Sequence, residues 1–338
     1  MKYLLLITLF LPLFGWQLSW AASNDDLAFE SFALIETLLA ESSSSQNHDN
    51  EESIADIFCS REGASLTGLK ELIDSQSTAC SGLYDLIFHK ITSESLRIKI
   101  LRHFKHEAKK IKREGFKLIS DIDDTLFSSV DDLRYSGSNL YPGVFAFHHE
   151  VAQNSVFVTA RPYFWYHKTK KTLDHRSFKQ RVVITGRLSS SIMGNRTMAM
   201  QKCRQIVNYA KIYPEFNLIW VGDNGRGDQI TGKKLLKDYP ENVVVVLIHD
   251  LHFSKQEVKT QIRDESGIIL FDTYLGAACD LYKKKILTKE KLCFIYEQFM
   301  RDLQTIHLKS QYQQKMESII LRDVRLAEYL LNYTVEMQ

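Results

Sequence analysis

Neither sign of charge dominates this chain: Lys and Arg together number 43 against 41 Asp and Glu, a formal net charge of +2. That balance excludes the broad basic footprint of a dedicated nucleic-acid binder, so no nucleic-acid partner is expected and any anionic partner is met locally. Cysteine is scarce as well. Cys59, Cys80, Cys203, Cys279 and Cys293 show neither a C-x-x-C pair nor zinc-ligand spacing, which argues against a thiolate metal site. The odd count leaves at least one thiol unpaired in a monomer. Cys59 and Cys80 are able to bridge in an oxidising compartment, and burial as small hydrophobes is the plain alternative. A long unbroken apolar run is missing too: "MKYLLLITLFLPLFGWQLSWAAS" is interrupted by Pro12, Gly15 and Gln17, a poor membrane-spanning helix. Its single Lys, apolar centre and small residues Ser19 and Ala21 fit a secretory signal over 1–21, with the mature chain beginning near Ala22 and the protein exported.

What is present suffices for a full core. The 338 residues are 44% hydrophobic and 25% charged, in keeping with one main domain and an accessory region. Residues 22–115 carry helical periodicity, broken by a polar loop at 41–52 that contains "SSSSQNHDNEE". Then the character changes. Short apolar runs at 116–123, 155–160, 181–186, 217–222 and 243–250 alternate with helical material, and their continuous hydrophobicity marks strands buried on both faces. The expectation is an α/β core over 116–272 with a doubly wound parallel sheet, followed by helices at 273–338 that pack on it. The inserts at 126–154 and 163–180 are short, so little or no cap covers the site.

Such sheets bind ligands beyond the carboxyl ends of their strands. There the first run, "FKLISDIDDTLFSS", delivers Asp121, Asp123 and Thr125, the second delivers Thr159, and "GDNGRGD" after the fourth delivers Asp223 and Asp228. The helix before the fourth strand offers Lys202, with Lys211 as a substitute. Carboxylates gathered at one sheet edge beside a lysine suit a hard divalent cation, Mg²⁺, and a phosphoryl group. An aspartate attacking phosphorus needs the metal and a cation to offset the repulsion between two anions. In that scheme Asp121 is nucleophile and metal ligand. Asp123 protonates the leaving oxygen, later activates water, and lends its backbone carbonyl to the metal. Asp223 completes the metal site, with Asp228 either behind it or alternating with it as a ligand, and Gly222 and Gly225 let the loop turn around the ion. Thr125, Thr159, Ala160, Arg161 and Lys202 are the expected substrate contacts, Thr159 and Lys202 with catalytic roles. Asp124 is expected to cap or solvate the turn.

The order "DIDDT", "VTARP", the Lys of "MQKCRQI" and "VGDNGRGD" resembles the haloacid dehalogenase superfamily of phosphotransferases. From about Lys117 to Asp250 the chain is similar to the lipin-like catalytic domain of the actin-patch phosphatidate phosphatases, although "GDNGRGD" stands where that family has a "GDSG" form. The resemblance implies a haloacid-dehalogenase-type fold and a phosphatidate or related lipid-phosphate substrate. A phosphatase of soluble or protein-borne phosphates and a binding-only phosphatidate module are the alternatives. The presence of both Asp121 and Asp123 argues against the second.

Other stretches have plainer readings. "GDQITGKK" ends in Lys234 where a phosphate loop needs a hydroxyl. "YFWYHKTKK" at 163–171 is expected first as a helix start that packs its aromatics inward. The alternative is an interfacial patch in peripheral contact with an anionic membrane. His249, at the end of the fifth strand, is a lesser candidate for lining the site.

Overall fold

The computed structural model describes residues 15–41, 47–111, 115–129, 131–152, 155–176, 178, 182–186 and 194–332. Most of the expected signal segment, residues 1–14, lies outside them. Two compact units divide the chain, Met1–Ile111 and Lys112–Gln338.

The first unit is helical: α1 (Gly15–Ala40), α2 (Asn47–Cys59), α3 (Gly63–Gln76), a short α4 (Leu83–Asp85) running into a π turn at Leu86–Lys90, and α5 (Glu94–Glu107). Helix α2 begins inside the stretch expected to be a polar loop. Its polar N-terminal half supplies an acidic first turn, and the apolar positions Ile54, Ala55 and Phe58 are buried. Phe58 packs edge-on against Phe104 of α5 at 5.3 Å between ring centroids. Carboxylates staple the connections: Glu36 accepts from Thr78 N at 2.9 Å, and Glu51 from Thr92 Oγ1 at 2.7 Å and Ser93 N at 2.9 Å.

The second unit is built on a six-stranded, wholly parallel sheet in the order β3-β2-β1-β4-β5-β6. The strands are β1 (Phe116–Ser120), β2 (Val156–Pro162), β3 (Val182–Gly186), β4 (Asn217–Asp223), β5 (Val243–His249) and β6 (Ile269–Phe271). Its helices are α6 (Val144–Val151), α7 (Tyr166–His175), α8 (Asn195–Ile212), α9 (Asp228–Asp238), α10 (Gln256–Ser266), α11 (Tyr274–Lys283), α12 (Lys289–Leu303) and α13 (Ser310–Leu331). The doubly wound α/β architecture is the expected one, with a sixth strand added.

Leu118, Ile219, Val221, Leu247 and Phe271 of the sheet form one core with residues of α6, α11, α12 and α13. On the other face Trp220, fully buried, reaches α9, where its indole N–H lies 3.4 Å from the Asp228 carbonyl. Burial on both faces explains the unbroken apolar runs, each fully buried large side chain being worth about 1.5–3 kcal/mol. The chain winds outward from β1 through β2 to β3, then crosses to β4 and winds the other way. The switch point therefore lies between β1 and β4, and a crevice opens beyond their carboxyl ends.

Candidate active site

The first carboxylate is placed by the sheet itself. Ser120 pairs with Val221, and the Asp121 N–H continues the ladder by donating to the Val221 carbonyl at 2.9 Å. The chain then leaves the sheet in a tight turn. Asp124 takes a left-handed conformation, φ 54°, which a short polar side chain tolerates. Its carboxylate accepts from the N–H groups of Ser129, Asp131 and Asp132 at 2.7, 3.0 and 3.1 Å. Asp124 thus caps the turn as expected, although it is buried rather than solvated.

At the end of β4, Asp223 accepts from the Gly225 N–H at 2.7 Å, and Asp228 opens α9. One carboxylate oxygen from each of Asp121, Asp223 and Asp228 lies within 4.8 Å of the others, and all three residues are buried. Lys202 of α8 reaches into this trio, its Nζ 2.8 Å from Asp121 Oδ1 and 2.6 Å from Asp228 Oδ1. Lys211 takes no part: it is exposed and donates to Asn208. Gly222 and Gly225 are not in the left-handed region, so the turn does not demand them for φ. Gly222 is required by proximity instead, because a Cβ there would lie 2.6 Å from Asp228 Cβ.

Burial and mutual charge shift the ionisation of Asp121, Asp223 and Lys202. Burial pushes Asp121 well above the ordinary carboxylate range, Lys202 opposing the shift and Asp228, Asp223 and Asp123 adding to it. Burial and then the charge of Asp228 raise Asp223 to about 7. Burial disfavours the Lys202 charge, yet Asp121 and Asp228 more than compensate and hold it protonated. With all three carboxylates ionised, the trio carries two negative charges more than the one ammonium balances, which a divalent cation would neutralise. Asp228 Oδ2 is buried, with no hydrogen-bond partner among the described residues. An all-oxygen donor set with an orphaned buried acceptor fits a hard metal ion.

The remaining expected residues fall in three places. Asp123 stands apart from the trio, its carboxylate gripped by the guanidinium of Arg161, with Nε 2.9 Å from Oδ2 and Nη2 on Oδ1. Arg161 also reaches Thr169 Oγ1 at 3.3 Å. Thr159, Ala160 and Arg161 line a cavity of about 570 Å³ together with Asp121, Asp123 and Lys202. Thr125, expected at the phosphoryl group, is fully buried and its hydroxyl faces Asp223 Oδ2 at 3.4 Å. Its place in the turn puts it behind the carboxylate, where it orients Asp223.

The aromatics after β2 do not pack inward as first expected. Tyr163, Phe164 and Trp165 are 64%, 66% and 44% exposed, and only Tyr166 is buried. The turn Tyr163–Trp165 precedes α7, so the burial stripe of the helix starts one residue too late to include them. Phe164 and Trp165 border the cavity.

Sequence reasoning missed the scaffold under the turn. Arg134 is buried and donates to both oxygens of Asp132, at 2.9 and 2.8 Å, and to the Asp250 carbonyl at 3.1 Å. His249 does not line the cavity. Its Nδ1 lies 3.0 Å from the Asp124 carbonyl and its Nε2 3.0 Å from Arg134 Nη2. At the cavity mouth Arg226 pairs with Asp131 at 2.7 Å. No periodicity in "DDLR" signals such long-range partners.

Residues 116–250 match the family described as the catalytic domain of phosphatidate phosphatase APP1, a segment that holds every residue of this site. The resemblance expected from the four motifs is found over that segment. No curated protein matches the chain. Among solved structures, that of chloroplast FtsY from Physcomitrella patens covers 73% of this chain and 88% of that chain, at 11% identity and a TM-score of 0.25, a likeness too slight to support any argument.

Proposed function

We propose that the second unit is a Mg²⁺-dependent phosphatase of phosphatidate or a related lipid phosphate, working through an aspartyl-phosphate on Asp121. The observation that carries this reading is the convergence of Asp121, Asp223 and Asp228 around Lys202, with Asp228 Oδ2 left without a partner among the described residues. Asp121, Asp223 and Asp228 would hold Mg²⁺, which when bound supplies positive charge to offset that of the phosphoryl oxygens. An Asp121 carboxylate oxygen attacks phosphorus while the bond to the leaving oxygen breaks. Asp123 gives that oxygen its proton. Water then attacks the phosphorus of the aspartyl-phosphate, its proton passing to Asp123, and inorganic phosphate leaves with Asp121 restored.

Lys202 opposes the burial that favours the neutral form of Asp121 and balances charge, and Thr159, at the cavity wall, donates to a phosphoryl oxygen. Arg161 orients Asp123 before substrate arrives. An incoming phosphoryl anion competes for the guanidinium and frees the Asp123 carboxyl to carry a proton. Residues 1–21 we read as an export signal with the mature chain beginning near Ala22, which sequencing of the mature N-terminus checks.

Phosphate release from phosphatidate vesicles, from a soluble phosphomonoester and from inositol, nucleotide and phosphopeptide substrates tests the assignment. Release should require Mg²⁺, stop with a chelator, and fall at least about a thousandfold in Asp121→Asn. Undiminished release from chelated protein would refute the metal, and undiminished release from Asp121→Asn the nucleophile. Equal turnover of vesicle-borne and soluble substrates would favour a general phosphomonoesterase.

A further inference from the structure

We infer that Tyr163, Phe164 and Trp165, with Lys168 and Lys171 of α7, form a docking surface for an anionic lipid bilayer at the mouth of the catalytic cavity. Three consecutive large aromatics stand out from the fold, while Tyr166 immediately after them is buried and fixes the base of the turn. Leaving that much apolar surface in water is unfavourable unless something covers it.

Charge identifies the cover. From 166 to 176 the chain carries Lys168, Lys170, Lys171 and Arg176 against the single acid Asp174. Lys168 and Lys171 are exposed, and Lys168 Nζ lies 5.0 Å from the Trp165 ring centroid. An aromatic tip fringed by lysines suits the headgroup layer, where indole and phenol rings settle and ammonium groups meet anionic lipid. Position supports the same partner. Phe164 and Trp165 border the cavity, and Arg161, which lines it, donates to Thr169 Oγ1 of α7, so the tip and the site share one rim. A phosphate displayed on a bilayer surface would meet the cavity when the tip is seated. The inference deepens the phosphatase reading by naming how its substrate is met, and rests on that reading for the choice of substrate alone.

The experiment separates docking from catalysis. Asp121→Asn protein, full chain, is mixed with phosphatidylcholine–phosphatidylserine vesicles that contain no phosphatidate and carry brominated acyl chains, which quench indole fluorescence at contact. Because the N-terminal apolar run is itself capable of entering vesicles, the readout is the Trp165 component, taken as the difference from the same protein with Trp165→Phe. That component should be quenched on anionic vesicles, less on pure phosphatidylcholine, and less again in high salt. An unquenched Trp165 component overturns the proposal, whether or not the protein sediments with vesicles.

In otherwise unaltered protein, Tyr163→Ser with Lys171→Glu should lower turnover of vesicle-borne phosphatidate about tenfold, while turnover of p-nitrophenyl phosphate stays unchanged. Unaltered vesicle turnover also overturns it. If the parent protein hydrolyses neither substrate, the phosphatase reading fails and docking is decided by the quenching alone.

Discussion

His249 is held between two groups that leave its ring one arrangement. The Asp124 carbonyl accepts only and the Arg134 guanidinium donates only, so Nδ1 carries the proton and Nε2 accepts. A second proton would point at the guanidinium. Burial and then the Arg134 charge accordingly lower the His249 pKa to about 4. The sign follows from linkage. A histidine whose folded pKa lies below its unfolded value binds fewer protons when folded, so stability is lost as pH falls from about 6.5 towards 4, on the order of 3 kcal/mol for this one group. Asp223, raised to about 7, works in the opposite direction in metal-free protein, its contribution growing as pH falls. Urea midpoints followed in saturating Mg²⁺, where an ion bound at the trio would hold Asp223 ionised, should therefore fall between pH 6.5 and 4 in the parent. In His249→Gln, whose amide can serve both neighbours, the decline should be shallower; an identical slope would refute the assignment. The carboxylates of the site were legible because strand ends are fixed by local pattern. The Arg134 and His249 contact was not, since it joins residues 115 positions apart and leaves no trace in spacing.

The turn from β4 into α9 is where backbone and chemistry are tied most closely. Asp228 packs on the backbone of Gly222, where an added Cβ would lie 2.6 Å from both Cβ and Oδ2 of Asp228. Gly222→Ala forces the start of α9 away from the strand and displaces Asp228 from the trio. We expect a loss of roughly 2 kcal/mol from overpacking, read as a lower urea midpoint. Mg²⁺ affinity, measured by calorimetry, should weaken, and thermal stabilisation by saturating Mg²⁺ should shrink compared with the parent. Stabilisation by Mg²⁺ equal to the parent's would show that the close approach is immaterial to the metal site. Elements were legible where the signal was long. Five strands announced themselves by apolar runs of six to eight residues, whereas β6 has only Ile269–Phe271 between α10 and α11 and is too short to stand out. The early start of α2 was hidden because its first turn is polar on every side. The exposure of 163–165 stayed undecided between two readings for a different reason: composition records aromatics but not which way they face.

The family match ends at Asp250, but the physical unit does not. Beyond it, β6 adds to the sheet by pairing with β5. The Tyr274 hydroxyl of α11 donates to the Thr125 carbonyl at 2.7 Å, so α11 props the turn after β1. Lys259 of α10 pairs with Asp250 at 3.0 Å and with Asp272, which in turn receives Arg322 of α13 at 2.7 Å. Thr273 Oγ1 closes the chain of contacts by donating to Asp323 at 2.7 Å. Phe147, Val221 and Leu247 share their core with α11, α12 and α13, so cutting the chain at 250 would bare an apolar sheet face and leave Asp250 without its lysine. Buried charges that lose a partner are costly, commonly about 3–5 kcal/mol, which approaches the whole stability of a domain. Residues 112–338, by contrast, hold the complete sheet, both helix layers and every site residue. Expressed alone, 112–338 should unfold in one cooperative transition and release phosphate from p-nitrophenyl phosphate at the rate of the full chain, while 116–250 should show no cooperative transition. A cooperatively folded 116–250 would mean that the C-terminal helices are ornament, and an unfolded 112–338 that the N-terminal helices are needed to complete the fold.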